Sequence, residues 1–206
     1  RERATALAAP FAGREPWGWK DPRNSLTLPF WRAALGPLAV VFVVRNPLEV
    51  AFSLRRRNGF SFALGLTLWR IYAERVLAAT APGERVVTHY DAYFDDPMAE
   101  VRRVLGALAL PVPDDLGAAA EAASDDLKHH RLSLADLEAA GIDAAIVDLY
   151  RDLCAEAGWR DPAEEQPPST VAERLAVATR LANHARRPAR PVWRSALERG
   201  TGGGDR

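Results

Sequence analysis

Arg45, Ser53 and Arg57 are the residue types and spacings in this sequence that best fit a grip on phosphate. Guanidinium groups carry planar forks of N–H donors that match phosphate oxygens in pairs, and a hydroxyl adds one more donor. Ser53 and Arg57 stand four residues apart, so a helix through this stretch puts both on one face. Asn46-Pro47 supplies that helix with a start, an asparagine to cap it and a proline at its first position. Before it, Ala39 to Val44 is a continuous apolar run without polar alternation. That pattern predicts a strand buried on both faces of a parallel sheet. Open parallel sheets bind ligands outside the carboxyl ends of their strands, beside the N-terminus of the following helix, where backbone N–H groups and the helix dipole favour an anion. Arg45 leaves the strand at that place. A phosphate is its natural occupant.

The rest of the chain supplies the elements that would position this turn. Residues 1 to 9 have weak helical character, and Pro10 to Pro16 form a connector leading into Trp17-Gly18-Trp19-Lys20, read as a short strand. Ser25 to Leu35 carries apolar residues in a helical rhythm stopped by Gly36-Pro37. A helix is predicted from about Phe62 to Thr80, a strand over Arg85 to Tyr90 and a helix over Pro97 to Leu108. Strand and helix alternate, which predicts an α/β layered domain. Beyond Pro111-Val112-Pro113 the signals become Ala-rich helices near 117–123, 133–140, 143–157 and 170–185. The expected organisation is an α/β domain over residues 1–130, which the resemblance given below makes a partial nucleotide-binding domain, a helical extension over 131–185 and a basic, flexible tail over 186–206.

Composition narrows the function classes. Lys plus Arg and Asp plus Glu number 27 each, so any anion site is local and bulk attraction to nucleic acid or a membrane surface is not expected. A single cysteine, Cys154, excludes an intrachain disulfide and reads as a small core residue. The longest apolar run, Leu38 to Val44, is too short to span a bilayer, and the N-terminal residues show no signal-peptide pattern. A cytoplasmic protein is the default expectation. His129-His130 invites a metal reading, but no Cys or HExxH pattern accompanies the pair. No metal is expected.

Arg45-Asn46-Pro47 and Val50-Ala51-Phe52-Ser53 resemble the 3′-phosphate segment of the sulfotransferase superfamily, which places an arginine at a strand end and a serine eight residues on. Arg57 is similar to a further basic phosphate contact of tyrosylprotein sulfotransferases. Trp19-Lys20-Asp21-Pro22-Arg23 resembles the Lys-Asp-Pro segment upstream of that site in tyrosylprotein and bacterial members. Val86-Val87-Thr88-His89-Tyr90-Asp91, with Asp96-Pro97 after it, resembles the family's Val-x-Tyr-Glu stretch, with aspartate in place of glutamate. Leu127-Lys128-His129 resembles a late Leu-Arg-His stretch of bacterial members. Together these matches span roughly residues 15 to 130.

The resemblance implies a P-loop-NTPase-like, three-layer α/β fold with a parallel sheet and a helical C-terminal portion. It implies 3′-phosphoadenosine 5′-phosphosulfate (PAPS) as co-substrate, contacted by Arg45, Ser53, Arg57, Tyr90 near the adenine, and Lys128. Lys20 would face the sulfuryl group and stabilise the charge that develops during transfer. His129 is a further acid or base candidate near neutral pH. The implied reaction moves sulfuryl from PAPS to a hydroxyl of a glycan or small metabolite. The Arg-Ser-Gly-Thr loop that cradles the 5′-phosphosulfate in the family is not in this sequence, nor the strand before it, so the resemblance begins partway into the family domain. A non-catalytic module that keeps the 3′-phosphonucleotide grip is the alternative. A P-loop kinase would need a Walker A loop and Mg²⁺ ligands, which the sequence lacks.

Overall fold

The computed structural model describes residues 2–117, 121 and 132–161. Their order is α1 (Glu2–Ala8), a 3-10 turn (Ala9–Phe11), α2 (Asn24–Leu35), β1 (Val40–Val44), α3 (Pro47–Asn58), α4 (Phe62–Ala79) and β2 (Arg85–His89). Then come α5 (Ala92–Asp95), α6 (Pro97–Ala107), α7 (Leu134–Ala139) and α8 (Ala144–Glu156). Most of the helix expected near 117–123, the helix at 170–185 and the tail at 186–206 lie outside the described residues.

The chain mixes helices with a small parallel sheet. β1 and β2 pair in the register Val40↔Arg85 through Val44↔His89. Parallel neighbours need a crossover connection, and α3 and α4 provide it in the chain. Burial on β1 departs from expectation: Val44 is 2% exposed, whereas Val41 is 42% and Val43 50% exposed. The valine run therefore has one covered face among the described residues. β-branched residues suit a pleated strand whether one face or two are covered, so composition alone overstated the burial.

Trp17 to Lys20 does not form the expected short strand. Its rings pack on one another instead. Phe11 stacks on Trp17 with centroids 4.9 Å apart, Trp17 on Trp19 at 5.6 Å, and Trp19 meets Trp31 of α2 edge-on at 5.3 Å. The Trp19 indole N–H donates to Asn24 Oδ1 at 3.1 Å. Ring contacts of this kind order an irregular segment without ladder hydrogen bonds, which an aromatic-rich pattern cannot reveal.

The described residues fall into two compact units, one of 2–45, 70–117, 121 and 152–160, the other of 46–69, 132–151 and 161. In the first, β2 and α6 are joined by a buried polar cluster. Glu100 accepts the Thr88 hydroxyl hydrogen and takes Arg103 Nε and Nη2 at 2.8 and 2.6 Å, while Arg103 Nη2 also donates to the Val87 carbonyl at 2.9 Å. Burial pushes the Glu100 carboxyl up, but the hydrogen bonds from Arg103 and Thr88 and the guanidinium charge outweigh it and leave the group below its ordinary range.

In the second unit, Asn46 is fully buried and acts at both ends of its amide. Its Oδ1 accepts the Leu48 N–H at 3.0 Å and caps α3. Its Nδ2 donates to the carbonyls of Leu132 at 2.8 Å and Ser133 at 3.3 Å. Glu49, also buried, accepts the Leu132 N–H at 2.8 Å. A Ser133–Asp136 capping box then starts α7. Gly65 lets α4 approach α3 closely, since a Cβ there would sit 2.9 Å from the Ala51 Cα.

Candidate nucleotide-binding site

The geometry is built at the carboxyl ends of the paired strands. Continuing the register past Val44↔His89 brings Arg45 opposite Tyr90, and the Tyr90 N–H donates to the Val44 carbonyl at 2.7 Å, extending the ladder one step. Side chains at paired positions leave a sheet on the same face. The Arg45 guanidinium accordingly lies over the Tyr90 ring, with Cζ 4.2 Å from its centroid. Arg45 and Tyr90 are both half-buried, and Tyr90 leans in turn on Phe94 of α5 at 4.9 Å and 56°.

One residue earlier, His89 is fully buried and stacks on Trp159 at 3.6 Å with an 11° angle between the rings. Its Nδ1 accepts the Asp91 N–H at 3.2 Å, so in this arrangement Nδ1 carries a lone pair. Sequence reasoning missed the His89–Trp159 stack, because no periodicity links residues 70 positions apart.

Among the expected site residues, Lys20, Arg45 and Tyr90 belong to the first compact unit and Ser53 and Arg57 to the second. Ser53 and Arg57 are exposed on α3, one turn apart, and Arg57 Nε donates to Asn58 Oδ1 at 3.0 Å. Lys20 is exposed in the irregular segment before α2. Lys128 and His129 lie outside the described residues. Among the described residues the structure brings Arg45 onto Tyr90, a contact that the sequence did not name.

No protein-family model, no curated protein and no solved structure matches the chain. Among the described residues no helix is long and apolar enough to cross a membrane.

The Lys20–Asp21 neighbourhood has its own electrostatics. Asp21 pairs with Arg23: its carboxylate accepts the Arg23 backbone N–H at 2.8 Å and Nε at 2.9 Å. These bonds, the side-chain one foremost, hold the Asp21 carboxyl at about 2. The ion pair thus leaves Lys20 outside its hydrogen bonds. NMR titration of the Asp21 carboxyl is expected to give a midpoint well below that of an ordinary aspartate, about 3.9. In Arg23→Ala the midpoint should rise toward that ordinary value. An unchanged midpoint would show that the pair does not form in solution.

Proposed function

We propose that this chain carries the 3′-phosphonucleotide grip of a PAPS-dependent sulfotransferase, with Arg45 as its centre. The observation that carries the reading is Arg45 standing just past the carboxyl end of a parallel strand, with its guanidinium carbon over an aromatic ring, 4.2 Å from the centroid. Stacking occupies the flat face of a guanidinium and none of its five in-plane N–H donors, so it is compatible with bidentate contact to a phosphate. The residues present fit a phosphate dianion at this end of the sheet. The bound nucleotide would bring the activated sulfuryl group. Lys20 is proposed to face that group and stabilise the charge that develops on its oxygens, and Ser53, Arg57 and Lys128 to add donors to the nucleotide. The acceptor would be a hydroxyl of a glycan or small metabolite. A P-loop-like, three-layer arrangement belongs to this proposal too.

The test is a calorimetric titration of 3′-phosphoadenosine 5′-phosphate (PAP) into the chain and into Arg45→Ala. Loss of a charge-assisted contact costs about 1.5–3 kcal/mol, so affinity should fall by roughly 10- to 150-fold. Equal affinity in the two proteins would refute the assignment. So would binding of adenosine 5′-phosphate as tight as that of PAP, because Arg45 is proposed to read the 3′ group.

A further inference from the structure

We infer that Tyr90 serves the phosphate end of the nucleotide, as the platform that orients Arg45, and not the adenine. The inference rests on the nucleotide reading above for the identity of the ligand, but its geometry stands on the contact alone. The resemblance puts a tyrosine near the base, where stacking would need a ring face. Here one face of Tyr90 carries the Arg45 guanidinium at 4.2 Å, and Phe94 packs on the ring at a tilt.

An arginine side chain has several rotatable bonds, and a free one must lose that freedom when it binds an anion. Stacking on a ring held by the sheet restricts it beforehand. The Tyr90 backbone is fixed to β1 through Val44, and Phe94 limits the tilt of the ring. The ring under the guanidinium then limits where the Arg45 side chain can go before any ligand arrives. Preorganisation of this kind raises affinity by lowering the ordering cost of binding. Tyr90 is therefore a positioning residue, and Phe94 supports it. The phenol hydroxyl has no part in this role, which separates it from a hydrogen-bonding one.

Six proteins and three probes test the inference: the unaltered chain, Tyr90→Phe, Tyr90→Leu, Arg45→Lys, Arg45→Ala and the Arg45→Ala/Tyr90→Leu double variant, titrated with PAP, with adenosine 5′-phosphate and with inorganic pyrophosphate, which has no base. Tyr90→Phe keeps the platform and should bind PAP and pyrophosphate as the unaltered chain does. Tyr90→Leu should bind both about 5-fold more weakly, the size of a cation–π contact. In an Arg45→Ala background Tyr90→Leu should cost nothing further, since the effect acts through Arg45. Arg45→Lys keeps the charge and loses the planar fork, and should weaken both probes at least as much; it carries the test if Tyr90→Leu does not fold.

A loss confined to PAP would mean that Tyr90 stacks on the base, and would overturn the inference. So would a loss that persists in the Arg45→Ala background, or no loss from either Tyr90→Leu or Arg45→Lys. If PAP binds no better than adenosine 5′-phosphate while pyrophosphate still shows the Arg45–Tyr90 coupling, the nucleotide reading falls and the platform stands. If the unaltered chain binds neither PAP nor pyrophosphate, both fall.

Discussion

Replacing Asn46 with aspartate is expected to destabilise the protein by about 3–5 kcal/mol, the effect of an uncompensated buried charge. As a helix cap alone the change would be nearly neutral, because aspartate caps as well as asparagine. The difference lies at the other end of the side chain. Asn46 is 0% exposed, and its Nδ2 donates to the Leu132 and Ser133 carbonyls. An aspartate would put an anionic oxygen against those two carbonyl oxygens, with the buried Glu49 carboxylate on the same backbone segment. Thermal unfolding should show a loss of roughly 2–4 °C for each kcal/mol. Asn46→Ala, which removes the bonds without adding a charge, should cost less, about 1–3 kcal/mol. The aspartate deficit should also narrow as the pH is lowered and the new carboxyl is protonated. An Asp variant as stable as the native protein at pH 7 would show that the Asn46–Leu132 contact does not hold in solution.

Glu100→Ala should cost about 2–4 kcal/mol, because the buried Thr88 hydroxyl loses its Glu100 acceptor and keeps only Tyr93 beside it, and Arg103 loses its carboxylate. Arg103 is 39% exposed on its side chain and retains the Val87 carbonyl, which limits the loss. Glu100→Gln keeps an acceptor for Thr88 and should cost about 1–2 kcal/mol. The pH dependence follows from the direction of the Glu100 shift. Its folded-state value is depressed, so the folded state favours the ionised form more than the unfolded state does. That contribution is fully present above the unfolded value of about 4.3 and is lost as the pH falls through the lower folded value. In Glu100→Gln the acid limb of the stability curve should therefore be flatter. An acid limb of unchanged slope would remove Glu100 from the account of acid stability.

Most of the local structure was legible in the sequence. Val40–Val44 announced a strand through β-branched residues, Asn46-Pro47 announced a helix start, and the apolar rhythms of 62–79 and 97–107 announced α4 and α6. These are short-range effects of side-chain shape and capping chemistry, so neighbouring residues suffice to specify them. The places where local reasoning gave a different answer depend on partners distant in the chain. Trp17–Lys20 has a strand-like composition but is ordered by rings of Phe11 and Trp31. The two faces of β1 differ in burial, which depends on what packs there and not on the strand's own residues.

Arg45 illustrates the same division at the candidate site. Its position at the end of a parallel strand was determined by the valine run before it and the Asn-Pro after it, as was the register of Ser53 and Arg57 on one helix face. What only the tertiary structure decided is what Arg45 rests on. The β1–β2 register is fixed by pairing between segments 45 residues apart, and that pairing brings Tyr90 under the guanidinium. Sequence periodicity specifies which face of an element a side chain leaves from; the alignment of two elements against each other is set by packing and ladder hydrogen bonds over the whole unit.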